Sequence, residues 1–161
     1  MLVADILGPS NGDYYYHRDY KTYNDHLYIV NEMSGADEGM QVIDLSPLPE
    51  LPPIKRPTYT GISQSHNLWI DEELGYAFIE KQYQENVHIV SLENPGFPYQ
   101  ISSLSYLDGE NCHDVFTENN IAYISEGYSY EFGIYDISNI LSPVKLASIP
   151  SFGYAHNAWL N

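Results

Sequence analysis

The chain has 161 residues, with 22 Asp and Glu against 6 Lys and Arg, giving a formal net charge of -16 at neutral pH. Six dispersed cations cannot build the basic face that a phosphate backbone or an anionic bilayer attracts, which argues against nucleic acid and membrane surfaces as partners. With 43% hydrophobic and 14% aromatic residues, the composition suits one folded domain with a buried core, not a disordered acidic tail.

In chain order, residues 1–7 are apolar but short, lack a basic flank and run into Gly8-Pro9-Ser10-Asn11-Gly12. They are neither a signal peptide nor a membrane span, so direct membrane insertion is not expected and any address tag is expected outside this stretch. Tyr14-Tyr15-Tyr16 opens a tyrosine-rich sequence: sixteen tyrosines stand against five phenylalanines and two tryptophans. Most aromatic rings therefore carry a hydroxyl that needs a partner when buried, and tyrosine favours strands. Ten prolines and eleven glycines are spread so that no stretch of twelve residues keeps a helical period. The expectation is an all-β protein.

A repeat follows. Arg18-Asp19-Tyr20-Lys21, His66-Asn67-Leu68-Trp69, His113-Asp114-Val115-Phe116 and His156-Asn157-Ala158-Trp159 are openings spaced 48, 47 and 43 residues apart. Behind each of the first three comes a turn with Asn24-Asp25, Glu73-Leu74-Gly75 or Asn119-Asn120. An apolar run then follows: Leu27-Tyr28-Ile29-Val30, Tyr76-Ala77-Phe78-Ile79 or Ile121-Ala122-Tyr123-Ile124. These read as hairpins. A further run ends in a small polar residue, Asp44, Ser91 or Asp136, before a turn bearing Pro47, Pro95 or Pro143. Outer strands are expected at 144–149 and, more weakly, at 100–104. Four short strands in a unit of about 40 to 50 residues is the period of a propeller blade.

The histidine-led opening, the Ala-Tyr-Ile run and Gly133-Ile134-Tyr135-Asp136-Ile137-Ser138-Asn139 followed by Ser142-Pro143-Val144 resemble the LVIVD-repeat β-propellers. Arg18-Asp19-Tyr20-Lys21-Thr22, Gly39-Met40-Gln41-Val42-Ile43-Asp44-Leu45, Ser65-His66-Asn67 and Ala155-His156-Asn157 are similar to the subset called choice-of-anchor B proteins. The resemblance runs from about residue 14 to the end. It implies blades of four antiparallel strands and a secreted or cell-surface setting, without an assigned reaction. Residues 1–161 then form a single propeller segment of about three and a half blades, with repeats starting near 18, 66, 113 and 156. Because a propeller closes with typically four to eight blades, the chain is expected to be a segment of a longer protein or part of a ring completed by other chains.

Candidate chemistry sits on the repeated positions. Arg18, His66, His113 and His156 are expected at one radius, near a central channel if they lie on the innermost strand. Such imidazoles either hold a transition metal or an anion, or act as structural elements of the repeat; a cation at Arg18 disfavours a metal ring. The polar residues Asp19, Asn67, Asp114 and Asn157 that follow, with Asp44 and Asp136, are expected to tie down turns or amides of the next repeat. Asp37 and Glu38, in a glycine-bounded loop, read first as a solvated hairpin loop and only second as oxygen ligands for a divalent cation such as calcium. Asp71-Glu72-Glu73 and Asp108-Gly109-Glu110 share both readings. Cys112 is a packed small residue, since a strand turns it away from its neighbour His113. No nucleophile elbow, phosphate loop or zinc-protease motif occurs. Two functions remain: a non-catalytic module meeting other protein chains, the remainder of the same propeller or glycan through tyrosines and carboxylates, or a metal-binding or enzymatic propeller built on the histidines. Trp69 and Trp159, three residues after their histidines, are expected in the core between repeats.

Overall fold

The computed structural model describes residues 3–8, 17–33, 39–80, 86–105 and 112–160. Asp37, Glu38, Tyr14 to Tyr16 and the acidic run at 108–110 lie outside them. Among the described residues there is no helix. Twelve strands form three four-stranded antiparallel sheets, each laid out in chain order. The first contains β1 (Arg18–Tyr23), β2 (His26–Asn31), β3 (Gln41–Asp44) and β4 (Ile54–Lys55). The second contains β5 (Leu68–Asp71), β6 (Tyr76–Glu80), β7 (Asn86–Ser91) and β8 (Tyr99–Ser105). The third contains β9 (Asp114–Glu118), β10 (Ile121–Ser125), β11 (Glu131–Asp136) and β12 (Val144–Pro150).

Local chemistry sets the hairpins. Asn24 and Asp25 (φ 45° and 55°) and Asn119 and Asn120 (φ 52° and 62°) take the left-handed conformation of two-residue hairpin turns. Between β5 and β6 the longer turn closes on Gly75 at φ 72°, where a side chain would be strained. The polar residues Asp44, Ser91 and Asp136 end the third strand of each sheet. Asp44 Oδ1 accepts from the Ser46 amide at 2.9 Å and hydroxyl at 2.6 Å, and Asp136 Oδ1 accepts from the Ser138 amide at 2.8 Å. The Arg56 guanidinium also donates to Asp44 Oδ2 at 2.6 Å. These bonds, led by those from Ser46, hold the Asp44 carboxyl down at about 2 and lower that of Asp136 as well.

The sheets stack face to face in sequence order, with β1 beside β5 and β5 beside β9. One core lies between the first two: Tyr28, Val30, Met40 and Val42 meet Leu68, Ile70, Ala77, Ile79, Val90 and Leu92. A second lies between the second and third: Phe78, Val87, Ile89 and Leu104 meet Val115, Ala122, Ile124, Tyr135 and Ile137. The middle sheet is thus buried on both faces, which is why β6 reads as a continuous apolar run and not as an alternation. On β9 to β11 burial alternates, as expected of a sheet with one covered face. Cys112 is buried beside the second core, its thiol 3.5 Å from the Asp114 carbonyl, and burial pushes its pKa well up.

Candidate functional site

The residues leading into the first strand of each sheet gather at one end of the stack. His17 and His113 stand directly before β1 and β9, and His66 two residues before β5. Their rings form a column with that of His156. The centroid distances are 3.9 Å for His17–His66, nearly parallel at 11°, 4.6 Å for His66–His113 and 4.0 Å for His113–His156. Tyr154 edges against His113 at 5.4 Å and Tyr128 against Tyr154 at 4.6 Å.

The first repeat therefore begins one residue earlier than the sequence alignment placed it. Arg18 is not the counterpart of His66, His113 and His156; His17 is. The exposed Arg18 guanidinium instead turns to Met33 Sδ at 3.0 Å. In the corrected register Arg18 opposes Asn31 as Asp114 opposes Ser125, and Tyr20 falls in line with Trp69, Phe116 and Trp159.

Hydrogen bonds orient the column. A carbonyl only accepts, so His113 Nδ1, 2.8 Å from the His156 carbonyl, carries the proton in the neutral ring and Nε2 holds the lone pair. Burial, with the neighbouring imidazoles of His156, His66 and His17, pulls the His113 pKa down to about 4, against the bond to His156. His113 is consequently neutral at pH 7. His66 Nδ1 pairs with Glu32 Oε1 at 2.7 Å, while the His66 amide donates to Glu80 Oε2 at 2.7 Å.

Three more carboxylates brace the same region. Glu80 is 2% exposed; burial and the nearby Glu32 carboxylate raise it to about 7, against its contacts with the His66 and Asn67 backbone. Asp114 rises to about 6, chiefly through burial and then through Asp19, while its bond to the Val115 amide and the charges of Lys21 and His156 pull the other way. Asp19 Oδ2 accepts from Lys21 at 2.7 Å and from the Leu68 amide of the next sheet at 3.1 Å. Asn67 takes part through its carbonyl, which accepts from the Glu80 amide and the Ser65 hydroxyl; Asn157 is exposed. Glu32 and Glu80 escaped the reading of the sequence. Their only signal was a carboxylate at or just after the end of an apolar run.

Nitrogen lone pairs lie in the ring plane, so an ion shared by two parallel imidazoles 3.9 Å apart would sit far off both lone-pair axes. Among the described residues, no group of three His, Cys, Asp or Glu side chains is arranged to hold a metal ion. The column joins adjacent sheets through ring contacts, beside the raised carboxyls of Glu80 and Asp114. A scan against protein-family models finds no match for the chain, and a search of curated proteins finds none either.

Proposed function

We propose that the three sheets are blades of a β-propeller of the LVIVD-repeat, choice-of-anchor B kind, and that the chain is a non-catalytic interaction module of a secreted or cell-surface protein. The observation that carries the propeller reading is the imidazole column: one residue per repeat, each ring in contact with the next, as equivalent positions around an axis would be. His156 and Trp159 continue it beyond the third sheet, with Trp159 packed on Phe116 at 5.4 Å, which supports further blades from this chain or from others. The interaction reading rests on the surface. Tyr20, Tyr99, Tyr128, Tyr130 and Trp159 are exposed on a chain of net charge -16, the amphipathic rings and charge suited to protein or glycan contacts.

The test is binding of the full chain to arrayed glycans and peptides at low and physiological salt. Saturable binding to a glycan or a basic peptide is expected, with peptide binding weakening as salt rises because charge contributes to it. Absence of saturable binding to every glycan and peptide would refute the reading.

A further inference from the structure

At the end of each sheet's first strand opposite the histidines, a cleft of about 390 Å³ opens between the second and third sheets. Its walls come from the ends of β5 and β9 and the turns that follow: Trp69 and Phe116, then Asp71, Glu72, Glu73 and Glu118. We propose that this cleft binds an organic cation, an alkylammonium group such as a methylated lysine or choline-like head, with the aromatic faces taking the alkyl surface and the carboxylates its charge. This deepens the interaction reading above and rests on it.

Three observations point this way. First, the two walls are electron-rich rings held at an angle, centroids 5.0 Å apart and planes 57° apart. Trp159 touches both, at 5.8 Å from Trp69 and 5.4 Å from Phe116. Angled aromatic faces attract a cation through their quadrupoles, most strongly for an indole. Second, the charge is of one sign. Among the described residues, four carboxylates and no basic side chain line the cleft, which favours a cation and repels an anion. Third, the indole is held in place. Trp69 Nε1–H donates to Thr117 Oγ1 at 2.8 Å, and the Thr117 hydroxyl donates to Asp71 Oδ2 at 2.6 Å, while Asp71 Oδ1 accepts from the Leu74 amide at 2.9 Å. A ring fixed before the ligand arrives loses little freedom on binding.

The relay is not a feature copied through the repeats. Thr117 occupies the position held by Lys21 in β1 and Ile70 in β5, each opposite the same residue of its hairpin partner: Lys21 faces Tyr28, Ile70 faces Ala77 and Thr117 faces Ala122. Among the described residues, the hydroxyl buried at this junction pairs with Trp69 and Asp71, so the local sequence departs from the repeat where the cleft lies. The bare acidic turn Asp71-Glu72-Glu73 would carry no such inference. Its union with locked aromatic walls does.

The test is a titration of the full chain with tetramethylammonium chloride, followed through the two indole N–H signals in a proton–nitrogen correlation spectrum, with Trp159→Phe used to assign them. The Trp69 signal is expected to shift saturably. The neutral isostere neopentyl alcohol is expected to bind about five- to tenfold more weakly, the scale of a cation over an aromatic face. The triple variant E72Q/E73Q/E118Q, confined to exposed side chains, should weaken tetramethylammonium by a similar factor with the fold intact by circular dichroism. Equal affinity for the neutral isostere, or unchanged affinity in the triple variant, would overturn the proposal. So would calcium chloride shifting the same signal more tightly than the ammonium, which would make the carboxylates a metal site. If an arrayed ligand binds but neither tetramethylammonium nor the triple variant affects it, the cleft proposal fails and the interaction reading stands. If tetramethylammonium titrates Trp69 while no arrayed ligand binds, the reverse holds.

Discussion

Replacing Trp69 with alanine removes a ring that packs against the core between the second and third sheets, touches two other aromatic side chains and anchors a buried hydroxyl. A fully buried tryptophan cut to alanine costs about 3–5 kcal/mol. Trp69 is only half-buried, which lowers the apolar part of that cost. Its contacts with Phe116 and Trp159 add back about 0.5–1.5 kcal/mol each. The expected loss is about 3 kcal/mol. Trp159 stands at the same repeat position but is 65% exposed, and Trp159→Ala, losing two ring contacts with little burial, should cost about 1 kcal/mol. Urea denaturation followed by far-ultraviolet circular dichroism reads both variants without depending on either indole. Equal losses for the two, or a loss below about 1 kcal/mol for Trp69→Ala, would refute the packing argument, because it rests on burial and not on repeat position.

Two further expectations concern the carboxylates. Glu80, raised to about 7 from an ordinary value of 4.5, contributes stability that is complete below about pH 4.5 and is lost as pH rises through 7. His113, lowered from 6.5 to about 4, acts oppositely, with stability present above pH 6.5 and lost as pH falls through 4. Glu80→Gln should therefore flatten the loss of stability between pH 5.5 and 8, by on the order of 2–3 kcal/mol relative to the parent, while leaving the acid-side fall due to His113; parallel pH profiles for parent and variant would contradict the assignment. Asp44→Ala, which frees both a strand-ending turn and Arg56, should cost about 1–3 kcal/mol in denaturant titrations. Asp136→Ala, which frees a turn alone, should cost less, and the reverse order would undo the role given to Arg56.

The apolar runs and the Asn24-Asp25 and Asn119-Asn120 turns sufficed to predict hairpins, because two-residue periodicity and left-handed turn chemistry are local properties. β4 was not foreseen. It is two residues long and lies in a segment with prolines at 47, 49, 52, 53 and 57, whose missing amides restrict pairing to a short edge. The candidate site was legible in part. His66, His113 and His156 announced themselves by recurrence, but matching Asp19 to Asn67 hid His17, and aligning histidine on histidine would have found it and put Tyr20 in the aromatic series.

Recurrence, turn chemistry and charge are written along the chain, and from them the all-β class, the three repeats and the acidic surface could be derived. Which of two equivalent tryptophans is covered, which glutamate loses its water, and which hydroxyl fastens an indole depend on residues 46 to 90 positions away in sequence. Such pairs meet only when the sheets stack, because desolvation and side-chain contact belong to the space between strands and not to any one of them.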